Sequence, residues 1–262
     1  QAGADPYQEH CSSLSQGAQD FLQQIQADKN LSSSEKLLLA GERHKISSCA
    51  SKMPLISVNP SWSAAARQYA SYLNASIAFY NANFSTASKI YSALTAVEQP
   101  WLKETSQYML IRSNLNAAYQ SGVGEYGDLQ HDKLNQILLK DFFSSITDYF
   151  KLYPNGQYAA SARGLLRRGY WLNGRHDLLV NEFVWQINHP KSKLYNLEIS
   201  NLAYEIDRHV FQSSRFKAQN LHDPFFLAIY DLMQMRKPET AEDKTAPSAD
   251  GAGEITAGKG RI

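Results

Sequence analysis

The chain has 262 residues, of which 43% are apolar, and its 26 basic and 25 acidic side chains leave a formal net charge of +1. This length and composition suffice to bury one core or a run of stacked helical pairs. The near-neutral charge gives no reason to expect nucleic acid or an anionic membrane surface as a partner. No apolar run approaches the length of a membrane-spanning helix, so membrane insertion is not expected.

The first residue is Gln1 rather than Met, which indicates that a leader has been removed or that the chain starts inside a longer protein. The first cysteine is Cys11. Anchoring through an acylated cysteine at the mature first position is therefore not predicted.

Residues 1–52 are predicted to form a helical hairpin that two cysteines join. Ser32 and Glu35 have the capping-box spacing that starts a second helix, and the short loop before them makes the two helices antiparallel. This returns Cys49 to the level of Cys11, which predicts a disulfide contributing about 4 kcal/mol and an oxidising compartment. The alternative is two buried free thiols in a cytosolic helical protein. One face of the first helix is apolar at Leu14, Ala18, Phe21, Leu22 and Ile25.

The rest of the chain is predicted to be helical, because no segment alternates with period two. Asn59 before Pro60, and Asp223 before Pro224, have the pattern of an N-cap followed by proline at the first helical position. The polar residues 237–262 are predicted to be a disordered tail or linker. The predicted helices are 12–28, 32–48, 60–80, 85–97, 100–120, 129–153, 157–173, 176–188, 191–212 and 223–235.

Two stretches within residues 53–236 share one spacing of small, aromatic and proline residues. The first has Ala75, Ala82, Phe84, Ala87, Tyr91 and Pro100, and the second has Leu166, Tyr170, Gly174, Leu179, Phe183 and Pro190. Small residues let the two helices of a hairpin approach, and aromatic side chains fill the groove beside them. The spacing resembles the tetratricopeptide repeat, with Pro one place late in both copies.

A third motif extends this resemblance to the tetratricopeptide-like lipoproteins of outer-membrane assembly. It is a junction of aromatic, Tyr-Pro, small loop and Tyr-Ala, carried by Phe150, Tyr153, Pro154, Gly156, Tyr158 and Ala159. The resemblance covers about residues 60–190. It implies an all-α fold, an α-solenoid of antiparallel helical hairpins that binds proteins.

In such hairpins the first helix lines the inner, concave face. The partner-binding residues are therefore predicted from their positions on the helices that would line this face. Tyr and Arg supply contact area and planar hydrogen bonding to a peptide at modest entropic cost. The alternative is that the aromatic rings join neighbouring hairpins and the arginines are solvated. The predicted residues are Tyr69, Tyr72, Tyr80, Arg168 and Trp171, with Tyr108 and Arg112 from the intervening helix.

Catalytic and metal-binding motifs give weaker signals. Gly122, Gly124 and Gly127 form a GxGxxG pattern, but a helical stretch precedes it, which predicts a glycine-rich helix end rather than a nucleotide site. His10 beside Cys11 is the one close His/Cys pair, and without a second pair no zinc site is predicted. We expect neither a metal nor a cofactor, and no catalytic motif is recognised.

The sequence therefore predicts a non-catalytic scaffold of the bacterial cell envelope, periplasmic or secreted, that binds a protein or peptide on its concave face. The runner-up hypothesis comes from another class. Peptidoglycan-lytic transglycosylases also carry long helical solenoids, so the chain could be the helical part of such an enzyme, with the catalytic domain elsewhere.

Overall fold

The structure is a computed structural model that describes residues 9–49, 52–213, 216–217, 219 and 222–235. A short 3-10 turn, Glu9–Cys11, precedes the first helix. No strand occurs in these ranges, and the fold is all-α as predicted. The helices are α1 Leu14–Ala27, α2 Ser33–Lys45, α3 Ala64–Tyr80, α4 Phe84–Leu94, α5 Pro100–Ser121, α6 Gln136–Leu152, α7 Ala159–Leu172, α8 His176–Asn188, α9 Ile199–Ile206 and α10 Pro224–Met235.

The N-terminal hairpin forms as predicted. The hydroxyl of Ser32 accepts from the Glu35 amide and the Glu35 carboxylate accepts from the Ser32 amide, which completes the capping box of α2. Cys11 and Cys49 form a disulfide with their Cα atoms 6.2 Å apart. The prediction of this disulfide is confirmed.

Successive helices from α3 to α8 pack against one another, and short turns connect α3 to α4 and α7 to α8. Ala82 and Gly174 occupy these turns with positive φ values of 59° and 66°. These are the turn positions of the two repeat copies in the sequence. Glycine adopts this conformation without strain, whereas Ala82 adopts it at a cost that the surrounding turn must offset.

Two core clusters divide the described helices at α5. Leu102 and Met109 belong to the first cluster, with Phe21 of the N-terminal hairpin. Ile111 and Leu115 belong to the second cluster, with Phe142 of α6. Helix α5 therefore contributes to both clusters, and its polar residues Thr105, Arg112 and Asn116 line a space that α1, α3 and α7 also border.

The N-cap of α3 differs from the prediction. The Asn59 side chain accepts from the Ser61 amide and closes a turn, so Asn59 does not start the helix. Ser63 is the N-cap, and its hydroxyl accepts from the Ala66 amide. The prediction at Asp223 is confirmed, because its carboxylate accepts from the first amides of α10.

The helix predicted at 191–212 is shorter in the structure. Helix α9 begins at Ile199 and continues into a π-helical turn, Asp207–Phe211. Before it, the Asn196 amide donates to Gln186 and the Asn196 side chain accepts from Arg167. These tertiary hydrogen bonds hold the preceding residues in a non-helical path.

The glycine-rich segment ends a helix as predicted, because Gly122 is the C-cap of α5. Beyond it, Val123 and Leu129 form an isolated antiparallel bridge. A nucleotide-binding loop would instead follow a strand and open a helix. Because a helix precedes this segment instead of a strand, it lacks the setting of a dinucleotide-binding loop.

The arginines at 163–175 mostly form ion pairs. Arg163 binds both carboxylate oxygens of Glu182 at 3.0 Å, and its guanidinium lies 3.4 Å from the ring centroid of Trp185. Arg167 pairs with Glu205 at 2.8 Å, and Arg175 pairs with Asp177 at 2.8 Å. Arg163 thus joins α7 to α8, and Arg167 joins α7 to α9. Arg175 and Asp177 pair with each other at the start of α8.

The chain divides into two compact units, Gln1–Phe216 and Lys217–Ile262. The domain limits predicted at residues 52 and 236 stay predictions, and the predicted tail 237–262 lies outside the described residues. Within the first unit, Phe21 and Ile25 of the predicted N-terminal domain share a core cluster with α3 and α4. A search of the described helices finds none with the length and hydropathy to cross a bilayer.

Candidate functional site

A cavity of about 490 Å³ lies among the N-terminal hairpin, α3, α5 and α7. We call it the arginine–tyrosine cavity. Its volume is in the range of sites that hold a small molecule or a few residues of a peptide. Its lining includes His10, Ser13, Asp20, Arg43, Tyr72, Tyr80, Trp101, Thr105, Tyr108, Arg112, Tyr158, Ser161 and Arg168.

Five of the seven predicted partner-binding residues line this cavity: Tyr72, Tyr80, Tyr108, Arg112 and Arg168. They come from three helices that the sequence separates by up to about a hundred residues. Tyr72 and Tyr80 are nearly buried, since each is 6% exposed. Whether these residues bind a partner stays a prediction, but the fold does bring them to one place.

Tyr69 lies elsewhere, in the core. It is 0% exposed, and its hydroxyl donates to Asp28 and accepts from Gln99. Burial, reinforced by the Asp28 charge, raises the pKa of this phenol. The placement of Tyr69 on an exposed concave face is therefore corrected, because a ring enclosed by Phe21 and Trp101 offers no surface to a partner.

Trp171 lines a second cavity of about 450 Å³, formed by α5, α7, α8 and the α9 region. Its ring lies 5.2 Å from the imidazole of His131 and 5.2 Å from that of His209, measured between centroids. Arg168 lines both cavities. Arg168 and Trp171 thus line one cavity together, but Trp171 is not part of the arginine–tyrosine cavity.

Arg43 is not among the residues predicted from the sequence, because no local pattern indicates that this arginine of α2 is buried. It is 3% exposed. Its Nη1 donates to the carbonyl of Ile46 at 2.8 Å and its Nη2 donates to the carbonyl of Leu14 at 2.7 Å. One guanidinium therefore closes the end of α2 and ties it to the start of α1, while its remaining edge faces the cavity.

Arg112 is held in a similar way from the middle of α5. It is 8% exposed, and it donates to the Ser13 hydroxyl at 2.5 Å and to the His10 carbonyl at 3.3 Å. Its guanidinium lies 4.9 Å from the ring centroid of Phe79, within the range of a cation–π contact. The longest described helix thus holds the segment that precedes α1.

Aromatic rings form another wall. Tyr108 and Tyr158 stack with centroids 4.5 Å apart and planes 4° apart, and the Tyr158 hydroxyl lies 3.0 Å from the Thr105 hydroxyl. Burial raises the pKa of Tyr158 to about 12, so it is a neutral hydroxyl at physiological pH. Trp101 and Tyr72 meet behind them, with centroids 5.2 Å apart. These faces are apolar, with hydroxyl groups at their edges.

The sequence predicts no metal site, but three side chains that can bind metals lie close together in the structure. The donor atoms of His10, Cys11 and Cys49 lie within 4.8 Å of one another, a grouping the sequence did not reveal because Cys49 is distant along the chain. The two sulfurs are joined in the disulfide. Thiolates are the form of cysteine that binds metals, so this grouping offers no thiolate ligand in the oxidised chain.

The cavity therefore combines buried cationic groups, neutral hydroxyls and flat apolar faces. Among the described residues that line it, Asp20 is the one carboxylate, and it accepts from Gln16 at 2.9 Å. Such a wall is suited to hold an anionic group beside an apolar or amide surface.

The chain matches no protein-family model, and comparison with curated proteins and with solved structures finds no significant match.

Proposed function

We propose that this chain is a non-catalytic binding protein of an oxidising compartment such as the bacterial periplasm, and that it holds a protein or peptide segment in the arginine–tyrosine cavity. The cavity carries the proposal. It gathers residues from α3, α5 and α7 of the types that dominate protein–protein hot spots, namely Tyr, Trp and Arg.

Two further observations support the architecture and the compartment. Consecutive helices pack in sequence order, which is compatible with a solenoid of stacked hairpins, and residues of positive φ occupy the equivalent turns at Ala82 and Gly174. The disulfide between Cys11 and Cys49 favours a site outside the reducing cytosol. In this proposal the N-terminal hairpin covers one end of the solenoid and forms part of its binding face.

Crosslinking in living cells tests the proposal. Ser161 is exposed at the cavity rim, so a photoreactive residue there should attach to a specific protein. A matched residue at Lys140, exposed on α6 and not among the residues that line the arginine–tyrosine cavity, should not attach to that protein. Adding Tyr108→Ala to the Ser161 probe should suppress the product, whereas adding Tyr126→Ala, at a position 93% exposed in a loop, should not.

Two results would contradict the proposal. One is the same crosslinked proteins from Ser161 and Lys140, since the cavity would then have no selectivity. The other is turnover of purified peptidoglycan sacculi by the chain, which would make it a glycan-cleaving enzyme rather than a non-catalytic scaffold.

A further inference from the structure

The disulfide of the N-terminal hairpin has an imidazole beside it. One ring nitrogen of His10 and the sulfurs of Cys11 and Cys49 lie within 4.8 Å of one another. Among the described residues, this is the one group of three His, Cys, Asp or Glu side chains close enough together to share an ion. One imidazole nitrogen and two thiolate sulfurs form a ligand set that occurs in zinc proteins.

The imidazole of His10 is held by its neighbours in the core. It is 6% exposed, and its ring makes edge contacts with Phe79 and Phe84, with centroids 5.9 and 5.7 Å apart. Its Nε2 lies 3.3 Å from the main-chain carbonyl oxygen of Tyr80. Histidines that bind a metal usually donate their second ring N–H to such a carbonyl, which orients the ring toward the ion. The surroundings of His10 therefore resemble those of a metal ligand.

The two cysteines come from different segments, and both are partly exposed to solvent. Cys11 ends the 3-10 turn before α1, and Cys49 follows α2. Their Cα atoms are 6.2 Å apart. A tetrahedral ion with Zn–S bonds of about 2.3 Å places two sulfurs about 3.8 Å apart. Rotation of the two side chains provides this separation, so the backbone already has the spacing that an ion needs.

We infer that the reduced chain binds one Zn²⁺ ion through Cys11, Cys49 and His10. A dithiol reductant opens the disulfide by exchange: it supplies two electrons and two protons, becomes a disulfide itself and leaves two cysteine thiols. Zn²⁺ then displaces the two thiol protons and binds both thiolates together with the neutral imidazole. Three protein ligands leave the fourth position for water or another ligand. The ion and the disulfide are thus alternative links between the same two segments, and this inference does not depend on the proposed function.

Zinc titration of the full chain tests this inference. The chain is reduced with a dithiol, freed of reductant and metal under nitrogen, and titrated with Zn²⁺ against a chromophoric chelator. We expect one Zn²⁺ per reduced chain, with a rise in melting temperature, and no such binding by the oxidised chain. His10→Asn should weaken Zn²⁺ binding at least about tenfold, since even the loss of an outer partner of a ligand costs that much. His44→Asn, at an exposed position of α2, is the matched control and should leave the affinity unchanged.

The absence of one-to-one binding by the reduced chain would overturn the inference. Equal Zn²⁺ affinity of the parent and Cys11→Ser/Cys49→Ser would place the ion elsewhere, and equal affinity of the parent and His10→Asn would remove the imidazole from the site. Should His10→Asn fail to fold, as circular dichroism would reveal, X-ray absorption of the zinc-loaded parent still counts the ligands. Two sulfurs and one imidazole are expected there, and a spectrum with four sulfurs or no imidazole would refute the assignment.

Discussion

Arg112 in α5 donates a hydrogen bond of 3.3 Å to the main-chain carbonyl of His10, which lies 102 residues earlier in the chain. His10 precedes Cys11, whose disulfide to Cys49 holds the same segment covalently. One wall of the arginine–tyrosine cavity therefore depends on a buried cation and on a covalent bond. The oxidation state of the cysteines is thereby connected to the shape of the proposed binding site.

Replacing both cysteines by serine should destabilise the fold. The disulfide closes a segment with a sequence separation of 38 residues, and a loop of that length contributes about 3–4 kcal/mol in the chain-entropy model. Urea unfolding of the oxidised chain and of Cys11→Ser/Cys49→Ser measures the difference. A reducing agent should lower the stability of the parent and leave that of the double variant unchanged. Free thiols in denatured, unreduced protein from the native compartment would contradict the disulfide.

Gly169→Ala should destabilise the chain although alanine favours helices. A Cβ atom at Gly169 in α7 would lie far inside van der Waals contact of the Phe142 ring, which is 0% exposed and cannot move away. Overpacking of this kind costs about 1–3 kcal/mol. Gly41→Ala in α2 is the matched control, because its Cβ meets nothing within 4 Å, and it should stabilise the helix by up to about 1 kcal/mol. Thermal unfolding of both variants measures the contrast, and equal effects would refute the packing argument.

Arg163→Met should destabilise the chain more at pH 7 than at pH 4. Burial already raises the pKa of the Glu182 carboxyl, and the Arg163 charge opposes that rise. Without Arg163 the folded pKa rises further, so the stability difference between parent and variant grows as the pH increases above the folded pKa of the parent, which is itself above the unfolded value of about 4.3. At pH 7 the cost should be about 1–3 kcal/mol, typical of a charged group that loses its buried partner.

Arg175→Met is the control for this change, because its ion pair with Asp177 is more exposed, with side chains 52% and 35% exposed. Its effect should be within about 0.5 kcal/mol, as for surface substitutions in general. Denaturant unfolding of both variants at pH 4 and pH 7 provides the comparison. A loss for Arg163→Met that does not depend on pH would rule out the electrostatic origin.

Glu35→Gln should remove a stabilising contribution that depends on pH. The carboxylate accepts from the amides of Ser32 and Ser63, at 2.9 and 2.8 Å, and these bonds lower its pKa to about 2. Since the folded pKa is below the unfolded value of about 4.3, the contribution is present above that pH and is lost as the pH falls toward about 2.

The melting difference between the parent and Glu35→Gln should therefore shrink from pH 7 to pH 3. Glu125→Gln, at an exposed loop position, is the control and should show no such trend. A difference of constant size across this range would show that packing, rather than the ionised carboxylate, carries the effect.

Local signals in the sequence predicted most helices to within a few residues. The capping box of Ser32 and Glu35 depends on neighbours three residues apart, and the Asp223-Pro224 start of α10 likewise involves only adjacent residues. Two local signals competed before α3, where the Asn59 side chain closes a turn and Ser63 starts the helix. At Asn196 the local signals were insufficient, because hydrogen bonds with Arg167 and Gln186 hold it outside a continuing helix.

The candidate site was predicted in part. The aromatic and basic residue types at Tyr72, Tyr80, Tyr108, Arg112 and Arg168 indicated a binding face, and the fold places all of them in one cavity. Tyr69 has the same residue type and helix, but its side chain points into the core. Arg43 was not predicted, and the structure shows it buried, with its guanidinium donating to the main-chain carbonyls of Leu14 and Ile46.

The sequence by itself determined the helical character of the chain and the pairing of Cys11 with Cys49, because helix periodicity, capping and hairpin length act over short distances. Only the tertiary structure decided which polar side chains are removed from water and which of them share a cavity. That outcome depends on the packing of α1, α3, α5 and α7 around one space, where Arg112 meets His10 from 102 residues away. Burial of a charge is a property of this assembly and not of the residue or its neighbours in sequence.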